Sequence, residues 1–225
     1  MTNFKQIAID GPAGAGKSSV AKKLAEKLKY IYVDTGAMYR ALTYKALKKG
    51  VSVTDTKKLI ELAKTTLIDF QIDDSNVQRV ICDGEDVTEA IRRPEVSDAV
   101  SVVAAIPEVR ESLVIKQRAL AKSNNIIMDG RDIGTIVLPD ADFKFFLIAS
   151  LEERAKRRLE EFKSKGYKVT LKGVIDDITK RDKLDSERET SPLRPAEDAL
   201  IIDTSDLNIT QVVNHILNVV NNGGS

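Results

Sequence analysis

The residues Gly11-Pro12-Ala13-Gly14-Ala15-Gly16-Lys17-Ser18 follow directly on a short apolar run, Gln6-Ile7-Ala8-Ile9-Asp10. Their spacing is G-x-x-x-x-G-K-[ST], the phosphate-binding P-loop. Glycines at these places let successive backbone N–H groups turn inward around a polyphosphate, the lysine reaches the β- and γ-phosphates, and the serine hydroxyl meets Mg²⁺. The motif works only between a strand and a helix, and the sequence predicts both. The apolar run supplies the strand, and Ser18 to Leu28 puts Val20, Leu24 and Leu28 on one helical face. The positive end of that helix then faces the anion. The loop therefore points to a nucleoside triphosphate and constrains the chain to an α/β architecture, with Lys17 expected exposed at the loop.

Four further short apolar runs resemble the first: Tyr30 to Val33, Ile126 to Met128, Phe143 to Ile148 and Ala199 to Ile202. Long helical patterns separate them. Continuous apolar strands alternating with helices predict a five-stranded parallel sheet with helices on both faces, its ligand at the carboxyl ends of the strands. One segment breaks the rhythm. After a helical stretch from Asp55 to Thr66, Ile68 to Ile72 and Val77 to Ile81 alternate, and Asp83-Gly84 leads into Glu85-Asp86-Val87. Alternation with a D-G turn predicts a small antiparallel sheet, an insertion at 67–96 within a single domain of residues 1–225. Pro94 and Pro107 start two more helices, the second carrying Arg110 in its first turn.

The chain has 225 residues with 42% hydrophobic content, enough to bury a full core. Its 35 basic and 34 acidic residues leave a net charge of +1, which gives no bulk electrostatic case for nucleic acid or membrane. With one cysteine, Cys82, and one histidine, His215, an internal disulfide is excluded and a zinc site is not expected. Cys82 reads as a small core residue and His215 as a surface residue of the amphipathic helix Thr210 to Val220. No signal-peptide pattern precedes the first strand and no apolar run approaches the ~20 residues of a membrane span, so a cytoplasmic protein is expected.

Candidate chemistry gathers at strand ends. The second strand runs into Asp34-Thr35-Gly36-Ala37-Met38-Tyr39-Arg40 and the third into Asp129-Gly130-Arg131-Asp132-Ile133-Gly134-Thr135. An apolar run before Asp129 makes it a carboxylate able to hold Mg²⁺. Ser150-Leu151-Glu152-Glu153 reads as a capping box opening a helix with Arg154, Arg157 and Arg158, followed by a mobile break at Lys163 to Gly166. Beyond it lie Arg181-Asp182 and Asp185-Ser186-Glu187-Arg188. Arginines at strand ends and in a mobile segment suit phosphoryl transfer, whose transition state is stabilised by fixed positive charge and alignment. The terminal Asn221 to Ser225 is expected to fray.

Taken together, the GPAGAGKS loop, DTGAMYR from Asp34 to Arg40, DGRDIGT from Asp129 to Thr135, and RD-x-x-D-x-x-R from Arg181 to Arg188 resemble the bacterial cytidylate kinases, a nucleoside monophosphate kinase family. The resemblance spans nearly the whole chain. It implies transfer of the ATP γ-phosphoryl to the 5′-phosphate of CMP or dCMP with Mg²⁺, core strand order 2-3-1-4-5, a nucleotide-binding insertion at 67–96 and a lid near 154–181. It also implies a monomer acting on small nucleotides, without nucleic acid or membrane. Gly11, Gly14, Ala15, Gly16, Lys17, Ser18, Ser19 and Arg157 are then expected to bind ATP, with Ser18 and Asp129 toward the metal. Lys17, Arg131 and Arg188 are the expected catalytic groups. Thr35, Tyr39, Arg40, Ser101, Arg110, Asp132, Arg181, Asp185 and Arg188 are expected to bind the acceptor, with Ser101, Arg110 and Asp132 reading cytosine. The readings that compete are a P-loop kinase for another nucleotide such as UMP, and a GTPase-type switch, for which Thr179-Lys180-Arg181-Asp182 matches [NT]KxD inside a charged helical pattern.

Overall fold

A computed structural model describes residues 4–73, 78–164 and 166–223. Val77 at the start of one expected strand, Lys165 in the expected break, and Gly224 and Ser225 of the tail lie outside the described residues. The chain forms two compact units, one made of Met1–Tyr32 and Ala121–Ser225, the other of Val33–Leu120.

The first unit carries the parallel sheet. Strand β1 (Gln6–Asp10) leads through the loop into helix α1 (Lys17–Leu28), and β2 (Ile31–Asp34) follows. Later come β6 (Ile126–Asp129), β7 (Phe143–Ile148) and β8 (Leu200–Asp203), in the spatial order β2-β6-β1-β7-β8. Numbered among themselves these strands run 2-3-1-4-5, the order that the resemblance implies. β1 pairs in parallel with β6 and β7, and β7 with β8. Ile7, Ile9, Ile127, Phe145, Leu147 and Ile202 lie on one face against Val20 and Leu24 of α1 and Val212, Val213 and Ile216 of the last helix, Ile209–Asn221. Ala8, Ile126, Met128 and Phe146 on the opposite face are buried as well, so the strands read as continuous apolar runs. His215 is exposed on that last helix, as expected.

Two more helices of this unit, Leu151–Ser164 and Leu171–Glu187, form a hairpin with its own small core of Ala155, Val174 and Ile178. Phe162 and Tyr167 close it edge to face at 5.9 Å. The capping box expected at its start is only half formed. The Glu153 N–H donates to Ser150 Oγ at 3.2 Å, but the Ser150 N–H donates to Ser205 Oγ and the Glu153 carboxylate accepts from Arg157. A charged partner one turn along outcompetes the local backbone donor.

The second unit joins α2 (Thr35–Lys48), α3 (Thr56–Thr65), α4 (Pro94–Val103) and α5 (Pro107–Ala121) with the antiparallel strands β3 (Ile68–Ile72), β4 (Gln78–Cys82) and β5 (Glu85–Asp86). Asp83 and Gly84, both at positive φ, make the D-G turn between β4 and β5. Val80, Cys82, Val87 and Ile91 pack on Ala37 and Ala41 of α2, so one face of the small sheet is core, and Cys82 is a buried part of it. Among the described residues no helix is long and apolar enough to cross a membrane.

Candidate active site

Close packing fixes the loop after β1. A Cβ on Gly11 would lie 2.1 Å from the Leu147 carbonyl oxygen, and one on Gly14 2.9 Å from Arg154 Cβ, so only glycine lets the backbone lie this close to β7 and the following helix. Arg154 is built into that support. It is 8% exposed and donates to the backbone oxygens of Ala13 and Ala149 at 3.0 and 3.1 Å, and to Asp182 at 2.5 Å. Arg157 donates to Glu153 and to both the hydroxyl and the carbonyl oxygen of Thr204, and its Nη1 lies 3.7 Å from where a Gly16 Cβ would be. Thr204 in turn donates to the Ala15 carbonyl oxygen at 3.3 Å, a link between loop and arginine that no motif announces. Arg158 instead pairs with Glu161 and stacks 4.4 Å over Phe162.

Lys17 corrects an expectation: it is buried, 6% exposed, because α1 begins at Lys17 itself and its ammonium folds back to donate to the Pro12 carbonyl oxygen at 2.7 Å. Burial, reinforced by the positive charge of Arg131, lowers its pKa to about 7, against the pull of Asp129 and Asp10. Ser18 Oγ donates to Asp129 Oδ2 and the Tyr32 hydroxyl donates to Asp129 Oδ1, each at 2.8 Å. A hydroxyl and a carboxylate side by side are the hard oxygen donors that Mg²⁺ takes when phosphates and water complete its shell.

The segment after β6 and the end of the helix Leu171–Glu187 form the second half of this unit's polar cluster. Arg131 Nε donates to Asp185 Oδ2 at 2.8 Å, and Arg181 and Arg188 reach the same carboxylate at 4.0 Å. Arg188 Nη2 also lies 4.0 Å from Asp132 Oδ1, and Arg188 Nε donates to the Ser191 carbonyl oxygen at 2.5 Å. Burial acts to raise the Asp185 pKa, but Arg131 and Arg181 hold it below the ordinary carboxylate range. Arg131 gains from the same pairing: burial opposes its charge, and Asp185 more than restores it. Asp10, at the end of β1, also belongs to this cluster. It is 4% exposed and accepts from the N–H groups of Ile133 and Gly134. The only signal for it in the sequence is an acid closing an otherwise apolar strand.

The second unit holds the other expected residues. Thr35 and Tyr39 are buried on α2, and Arg40 Nη1 donates to Ser97 Oγ at 3.0 Å. Ser101 is half-buried on α4. Arg110 is 3% exposed, donates to the Ala104 carbonyl oxygen at 3.0 Å and lies 5.2 Å over the Tyr39 ring. The Thr179 to Asp182 tetrapeptide sits inside the helix Leu171–Glu187 with Asp182 engaged by Arg154, so it offers no loop to read a guanine.

A P-loop at the end of a parallel strand, with a Ser–Asp oxygen pair and an arginine cluster in the same unit, defines a P-loop kinase. A family model described as cytidylate kinase matches residues 7–222. The chain is 56% identical over 215 residues to the cytidylate kinase of Caldanaerobacter subterraneus subsp. tengcongensis, covering 96% of this chain and 94% of that one. It is 57% identical over 214 residues to the cytidylate kinase of Bacillus subtilis (strain 168), covering 95% of each. A solved structure of an uncharacterized protein from Eubacterium ventriosum ATCC 27560 shares the fold, with a TM-score of 0.52 at 15% identity over 98% of this chain and 99% of that one. The chain belongs to the cytidylate kinase family.

Proposed function

We propose that this member of the family transfers the γ-phosphoryl of ATP to the 5′-phosphate of CMP or dCMP, as a cytoplasmic monomer that uses neither nucleic acid nor membrane. The observation that carries the reading is the presence, within one unit, of the donor loop and the Arg131–Asp185–Arg188 cluster, with the charge of Arg131 acting on Lys17. Gly11, Gly14, Ala15, Gly16, Ser18 and Ser19 hold the donor phosphates through backbone and hydroxyl groups, with Arg157 beside them. Lys17 supplies charge where it shifts between β- and γ-oxygens, while Arg131 and Arg188, oriented by Asp185, face the group in transfer. Ser18 and Asp129 fit Mg²⁺, which when bound neutralises phosphate charge.

Thr35, Tyr39 and Arg40 of the second unit serve acceptor binding, and Ser101 and Arg110 read the cytosine, to which Asp132 contributes a carboxylate that accepts from N4. Arg181 and Asp185 lie toward the sugar. Residues 67–96 act as the nucleotide-binding insertion and 154–181 as the lid. The separate small core of the helical hairpin supports movement as a unit. Hydrogen exchange should slow in both segments when a bisubstrate analogue is added; unchanged exchange in both would reject the movement. The activity itself is tested by ADP release with MgATP across a panel of nucleoside monophosphates. Turnover with CMP and dCMP well above that with UMP, AMP and GMP is expected, and no CMP-dependent release would reject the assignment.

A further inference from the structure

We propose that Asp10 is a positioning residue that, with its neighbour Ile9, clamps the segment carrying Arg131 and Asp132 onto the strand end from which the donor loop springs. The inference rests on the proposed roles of Arg131 and Asp132. Both anchors come from the last two residues of β1. The Gly130 N–H donates to the Ile9 carbonyl oxygen at 3.0 Å, ahead of Arg131 and Asp132. Behind them, the Ile133 and Gly134 N–H groups donate to Asp10 Oδ1 and Oδ2 at 2.8 and 2.7 Å. Arg131 and Asp132 therefore span a short bridge held at both ends by residues immediately upstream of Gly11.

The chemistry accounts for an acid at this buried place. Ile133 and Gly134 open a single π-helical turn, Ile133–Val137, whose first N–H groups have no partner within the turn. A carboxylate accepts with both oxygens, whereas an asparagine has one acceptor and would point an N–H₂ group at the other N–H. A buried anion is costly unless its oxygens are satisfied, and here each receives a backbone donor. Lys17 and Asp132 are the charged groups that act on it most strongly, so the carboxylate also lies within the field of the donor lysine.

The test compares D10N, R131K and the double variant. D10N should lower kcat about 10–100-fold, since small misplacements of reacting groups cost on that order, while binding of a non-hydrolysable ATP analogue changes less than about threefold. In the R131K background D10N should cost less than about threefold, because the contact it positions is already lost. Parental kcat for D10N, or full multiplication of the two losses, would overturn the clamp. Parental kcat for R131K alone would strike the role assigned to Arg131, and the clamp would then be judged on the unmutated protein by ¹⁵N-resolved NMR. There the Ile133 and Gly134 amide resonances should titrate together with a midpoint near pH 6, the value to which burial raises Asp10. Separate midpoints, or Ile133 and Gly134 amide shifts that do not respond to pH anywhere the protein stays folded, would overturn the clamp.

Discussion

Two positively charged groups in the same unit are treated in opposite ways. The Lys17 ammonium is buried with a backbone carbonyl as its hydrogen-bond acceptor, and its pKa falls to about 7. Arg131 is buried too, but a carboxylate 2.8 Å away holds its charge firmly. The contrast lies in what each cation has as its partner before any ligand arrives. A lysine held without a carboxylate in direct contact gains most when a polyphosphate arrives, whereas arginines pre-paired with Asp185 have their geometry set in advance. In the proposed reaction the first binds charge and the second aligns it.

Removing the lysine has the largest expected effect. K17A should reduce kcat by about 10²–10³, the usual cost of losing a preorganised electrostatic contact. Because burial already disfavours this ammonium, thermal unfolding should occur at or above the parental temperature. Near-parental turnover at saturating MgATP would refute its donor role. A smaller effect is expected from R131K and R188K, where charge survives and the planar fork is lost. About 2 kcal/mol of barrier, or ~30-fold in kcat, is the expected outcome for each. Steady-state rates that barely change in both would mean that positive charge alone suffices there.

Asp132→Asn probes the carboxylate side of the cluster. If Asp132 accepts from the cytosine amino group, the CMP/UMP ratio of kcat/KM should fall about tenfold, in keeping with ~1–3 kcal/mol for a mispaired buried polar group. If it only steadies Arg188, 4.0 Å away, both substrates should suffer alike and the ratio should hold. The smallest expected signal is a proton. The lysine's pKa stands near 7 in the free protein against an ordinary 10.5, so the unfolded chain binds more protons between those values and stability rises with pH there. A bound polyphosphate favours the ammonium, so an ATP analogue should bring uptake of a fraction of a proton at about pH 8. Calorimetry in buffers of different ionisation enthalpy reads this directly. No uptake, or equal uptake by a K17M variant, would show that Lys17 is not the group that titrates.

The α/β class, the P-loop and the arginine-bearing motifs were legible in the amino-acid sequence, because they depend on local periodicity and short spacing, which a backbone obeys wherever it lies. The strand order, which is not local, was reached only through the family resemblance that those motifs carry. The sequence did not reveal that Lys17 would be buried, that Glu153 would leave the cap for Arg157, or that Arg154 would brace the loop at Ala13. Nor did any pattern link Asp10 to Ile133 and Gly134, or Thr204 to Ala15, residues 123, 124 and 189 positions apart. Those pairings were decided only when the parallel strands came into register. A buried charge takes whichever donors the neighbouring strand ends bring within reach, and that choice is set by tertiary proximity.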